Sequence, residues 1–165
     1  MSDTMTTQTP KHVCFTGHRS IDVEHAPLIP FLLDQILRTL ISHGAEEFYT
    51  GGALGFDTIA AISVLKLKRE FPHIRLNLIL PCKNQTKLWD ESDRDVYDAI
   101  LSQADSIEYV SESYTSSCMH ARNRRLVESS NVCIAYCSHS GGGSAYTMAY
   151  ALKTEKSVVN LSDFI

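Results

Sequence analysis

The chain has 165 residues, 44% of them hydrophobic and 21% charged, with a formal net charge of −4. These figures suit one globular domain with a sizeable core, and the acidic balance argues against nucleic acid as a partner, which usually calls for a basic surplus or stripe. The opening MSDTMTTQTP lacks an apolar signal region, and no apolar run is long enough to span a bilayer, so a cytoplasmic chain with no membrane contact is expected.

Residues 1–11 read as a flexible tail and 12–165 as a single domain. The run HVCF (12–15) reads as a strand and is broken by TGHRS. A helix follows over 27–42, with Leu33, Ile36, Leu37, Leu40 and Ile41 at helical spacing, Pro30 in its first turn and Gly44 as its cap. EEFYT (46–50) reads as a strand, GGALGFD (51–57) as a turn, and 58–69 as a buried helix. IRLNLILP (74–81) is a strand that Pro81 ends, and a third helix lies near 90–101. SIEYVS (106–111) is a strand, 118–129 a helix, and NVCIAYC (131–137) an almost wholly apolar strand. Three glycines, a helix to Lys153 and a last strand, SVVNL (157–161), close the order. Apolar strands alternating with helices predict an α/β fold, a Rossmann-like three-layer sandwich with a mostly parallel sheet.

Five cysteines, Cys14, Cys82, Cys118, Cys133 and Cys137, stand mostly in apolar runs with no C-x-x-C. They read as buried small hydrophobes in a reducing compartment, and no metal site is expected.

Ligands of such sheets bind outside the carboxyl ends of the strands, and every unusual stretch here falls there. Gly141, Gly142, Gly143 and Ser144 precede a helix whose free N–H groups favour an anion. They form either a phosphate site or a plain turn with Ser144 as its cap. Gly51, Gly52 and Gly55 precede Asp57, which either meets a ribose hydroxyl or caps its helix. Thr16, Gly17, His18 and Arg19 follow the first strand; Arg19 suits a phosphate, and His18 is either a base or a stacking group. Arg122 and Arg125 are neighbours three apart, Arg124 points elsewhere, and Asn123 offers a polar contact. Trp89 and Tyr114 stand in loops, placed either to stack on a base or to pack in a core or oligomer contact. Neither glycine loop is a P-loop, since no G-K-[ST] follows.

The motifs TGHR, TGGALGFD, ARNRRLVESSNVCIAY and GGGSAYTMAYA, in this order, resemble the YpsA-like branch of the SLOG superfamily, which joins the Smf/DprA proteins to the LOG phosphoribohydrolases. The resemblance runs from His12 to Leu161. It implies a bacterial or phage source and a nucleotide-type ligand related to NAD or ADP-ribose. Matched onto its motifs, the ligand would meet Thr16, Gly17, Arg19, Gly51, Gly52, Asp57, Arg122, Asn123 and the Gly141–Ser144 loop. It also implies a cell-division protein as a partner, by family likeness alone. One departure stands out. LOG enzymes carry a glutamate shortly after the glycine motif, whereas SAYTMAYALK holds no acid, and none comes before Glu155. DprA relatives bind single-stranded DNA.

The leading expectation is a nucleotide-binding sensor or sequestering module, and more a binder than an enzyme. The alternatives are a nucleotide N-glycosidase with Asp57 or His18 as acid/base, and an interaction module without ligand. Unpaired sheet edges and helix faces lead us to expect a homo-oligomer.

Overall fold

The computed structural model describes residues 9–165. Most of the expected tail lies outside the described residues; its end, at Lys11, is tied in, its carbonyl accepting from Glu46 N and Glu47 N at 3.0 Å each.

The elements run β1 (His12–Gly17), α1 (Leu28–Ser42), β2 (Glu47–Thr50), α2 (Phe56–Lys68), β3 (Arg75–Cys82), α3 (Glu91–Gln103), β4 (Ser106–Ser111), α4 (Cys118–Glu128), β5 (Val132–Tyr136), α5 (Gly142–Lys153) and β6 (Ser157–Asn160), then a 3-10 turn over Leu161–Phe164. All six strands pair in parallel, in the order β4-β3-β2-β1-β5-β6. The Rossmann-like expectation therefore holds. β1 lies at the centre, and the chain leaves it towards β2 but leaves its other neighbour, β5, towards β6. That reversal opens a crevice at the carboxyl ends of β1 and β5.

Two cores flank the sheet. Ile29, Leu33 and Leu37 of α1 and Ala60, Val64 and Leu67 of α2 pack with Phe15, Phe48 and Leu76 on one face. Leu126 and Val127 of α4 and Ala151 of α5 pack with Cys14, Ile79 and Cys133 on the other. Burial of one such large apolar side chain stabilises by roughly 1.5–3 kcal/mol.

Pro81 does not end β3, which continues to Cys82. The pairing with β2 stops at Leu78, and the pairing with β4 passes from Leu80 to Cys82, so the missing N–H of Pro81 deprives no partner. β4 is an edge strand, and its Ile107 and Tyr109 stay exposed although their sequence suits an inner strand.

Two glycines fix the first two loops against each other. A Cβ at Gly17 would strike the ring of Phe56, and one at Gly55 would strike the carbonyl of Arg19. Phe56 N donates to His18 O at 3.2 Å, closing the contact. Only glycine lets the β1–α1 and β2–α2 loops approach so closely.

Candidate functional site

A cleft of about 590 Å³ opens at the carboxyl edge of the sheet. Thr16, Gly17 and Arg19 line it from the first loop, Ala53 and Asp57 from the second, Met119, His120, Arg122 and Asn123 from α4, and Gly142, Gly143 and Ser144 from α5. Nine of the residues singled out in the sequence thus share one space, although they lie on four separate segments. Buried polar side chains concentrate there too: Thr16, Asp57, Arg122, Asn123 and Ser144 are each less than a tenth exposed.

Arg122 is the pivot. Its Nε donates to Asn123 Oδ1 at 2.7 Å, and its Nη1 donates to the carbonyl of Gly51. Asp57 accepts from Ala53 N at 3.2 Å. Burial pushes the Asp57 carboxyl up to about 6, with the charge of Arg122 pulling the other way. Burial likewise lowers the Arg122 guanidinium, against the pull of Asp57. Among the described residues, neither Arg19 nor Arg122 forms an ion pair with a carboxylate at contact distance.

The glycine loop faces this charge. α5 begins at Gly142, inside the glycine run, with Gly141 at φ +103° and Gly142 at φ +81°. Nothing lies within 4 Å of where a Cβ would stand at either position. A Cβ at Gly143 would lie 3.6 Å from Asn123 Nδ2. No side chain caps the N-terminus of α2, α4 or α5. Phe56 N of α2 and Cys118 N of α4 donate to the carbonyls of His18 and Thr115, whereas the first N–H groups of α5 remain for a ligand or water.

The remaining candidates fall elsewhere. His18 is turned away from the cleft; its Nε2 accepts from Ser138 N at 2.9 Å, and its ring stacks on His139. Gly51 serves as the acceptor for Arg122, and a Cβ there would strike that guanidinium. Gly52 and Gly55 line a smaller recess between α2 and α3. Gly141 caps α5. Arg125 does not share a site with Arg122, because it reaches out of α4 to Glu108 on β4 at 3.0 Å. Met119 and His120 were missed; His120 stands inside the basic motif, so spacing along α4 offered a signal for it.

A family model described as the YspA SLOG family matches residues 13–163. A UPF0398 protein of Halalkalibacterium halodurans is 31% identical over 126 residues, covering 74% of this chain and 67% of that protein. An uncharacterised SPbeta prophage-derived protein, YoqJ, of Bacillus subtilis is 30% identical over 135 residues, covering 74% of this chain and 79% of the relative. Among solved structures, DNA processing protein A of Helicobacter pylori, described for its single-stranded DNA binding mode, superposes with a TM-score of 0.67 at 26% identity, covering 94% of this chain and 67% of that one. The same protein of Streptococcus pneumoniae shares the fold, with a TM-score of 0.65 at 18% identity over 90% of this chain and 49% of its own.

These findings overturn one expectation. Nucleic acid cannot be set aside as a partner, since a structural neighbour is a single-stranded DNA binder. The inference from net charge fails for a physical reason: a sum over the whole surface does not report the local field of a cleft. Arg19 and Arg122 dominate here within an acidic chain.

Proposed function

The chain belongs to the YspA SLOG family, and on that premise we propose that it binds the phosphate of a nucleotide-type ligand in the carboxyl-edge cleft, as a sensor or regulatory module. The observation that carries the reading is that Arg19 and Arg122 line one cleft with the uncapped start of α5. An anion between them gains two guanidinium groups and the helix N–H groups at once. Ser144 adds a hydroxyl at the same place, and Asn123 an amide. Ligands related to NAD or ADP-ribose present the required phosphate beside ribose hydroxyls.

A thermal-shift panel of NAD, ADP-ribose and AMP tests this on the full chain. A ligand near one hundred times its Kd stabilises by about 2.7 kcal/mol. The shift should vanish in Arg19→Ala and in Gly142→Asp, which sets a carboxylate beside the anion. If no member of the panel moves the transition, the reading is wrong.

A second reading is favoured by Asp57. A carboxyl titrating near 6 inside a cleft suits acid/base work. Hydrolysis of the ligand's N-glycosidic bond would release free base, and Asp57→Asn should abolish that release while binding persists. Absence of base release from any bound member of the panel removes this reading.

A further inference from the structure

Beside the phosphate cleft lies a second cleft of the same size, about 590 Å³, between the β3–α3 and β4–α4 loops. The two adjoin, for Arg19, Ala53 and Met119 line both. The second is walled by Trp89 and Tyr114, with Lys87, Asn84 and Gln85 around them, and it contains no Asp or Glu. In a chain of net charge −4, that is a local reversal of sign.

The wall is pre-formed. Tyr114 N donates to Asn84 Oδ1 at 3.1 Å, joining the two loops. Lys83 pairs with Glu112 at 3.0 Å just outside. Trp89 is held edge-on by Tyr97, ring centroids 5.4 Å apart at 82°. The Arg19 guanidinium lies 5.7 Å from the Trp89 ring centre and pairs with no carboxylate among the described residues. Tyr114 remains 66% exposed and Leu88 93%. An exposed Tyr114 ring and a half-buried Trp89 ring beside cations that pair with no carboxylate are what a base joined to a phosphate requires.

We propose that this cleft is a second nucleoside subsite, with a base stacked on Trp89 or Tyr114 and the linking phosphate shared through Arg19. The proposal rests on the phosphate reading of the first cleft. The ligand would then carry two bases joined through phosphate. Two sources share that chemistry: a dinucleotide such as NAD, and a single strand of DNA.

Trp89 is the chain's single tryptophan, so stacking on it reads directly as quenching of intrinsic fluorescence. The full chain is titrated with AMP, with NAD and with a short oligothymidylate, following both emission and heat. NAD or the oligothymidylate should bind roughly ten-fold more tightly than AMP, as one added base stack allows, and should quench Trp89 more strongly. Tyr114→Ala and Trp89→Ala should reduce that advantage, and Trp89→Phe should restore it, leaving AMP affinity within about two-fold. Whichever two-base probe shows the dependence on these rings names the source. If AMP binds as tightly as both two-base probes, or they bind without disturbing Trp89 emission, the second subsite is overturned and the first reading stands. If no probe gives heat, both fall together.

Discussion

The imidazoles of His18 and His139 lie face to face, ring centroids 3.9 Å apart and planes within 4°. Nε2 of His18 accepts from Ser138 N, so the neutral ring carries its proton on Nδ1. This bond anchors the first residues of the loop that ends in Gly141 and Gly142. Protonation of Nε2 would remove the acceptor and set a charge against His139.

The first prediction concerns pH. Burial, then His139, lower the His18 pKa below its ordinary 6.5, and Asp22 opposes them. Tyr136, edge-on at 5.7 Å, adds no charge. The folded state thus binds fewer protons than the unfolded one around and below that value, and stability falls as pH drops through it. His18→Gln should lose this part of the decline between pH 7 and 5. Melting curves for both chains in an Asp57→Asn background check it, because the carboxyl titrates with opposite sign. Parallel curves would show that His18 does not titrate in this window.

The second prediction concerns Asp57 itself. Its folded value of about 6 stands above the ordinary 3.8, so the folded state holds the extra proton between them. Stability therefore falls as pH rises from 3.8 towards 6 and stays lowered above. Asp57→Asn should be more stable than the wild type at pH 8, by on the order of 2 kcal/mol. The gain should disappear near pH 4. Urea unfolding at both pH values reads it, and a gain independent of pH would point to packing instead.

The third prediction separates two glycines of similar φ. Gly55 has φ +80° and Gly142 φ +81°. Gly142→Ala meets only the conformational cost, about 1–2 kcal/mol. Gly55→Ala adds a collision with the Arg19 carbonyl, which has no flexible end to yield, and should cost about 3 kcal/mol or more. Denaturant midpoints of the two variants should differ accordingly. Equal midpoints would mean that the two loops can part at no cost.

Much of this was legible in the chain alone. Alternation of apolar runs and helical spacing set the sheet and its edge, because both depend on local periodicity. Arg19, Asp57, Asn123, Gly142 and Gly143 could be placed at strand ends from the sequence, and they share one cleft in the structure. What could not be read depended on distant contacts. The partner of His18 is 120 residues away at Ser138. Arg122 and Arg125 sit three apart, yet one lines the cleft and donates to the Gly51 carbonyl, and the other reaches an edge strand. That division follows from how α4 lies across β3 and β4, which no pattern within α4 specifies.

The central pairing of β1 with β5 has one more consequence. Gly17 stands opposite Tyr136, so the cleft's first and last walls come from opposite ends of the sequence. During synthesis, the TGHR loop leaves the ribosome long before the glycines of α5 follow. No ligand can help the early half to fold, because the ground it would occupy does not yet exist. If the cleft takes the proposed nucleotide, its occupancy reports a finished domain, and truncation ahead of α5 should yield a chain that no nucleotide can rescue.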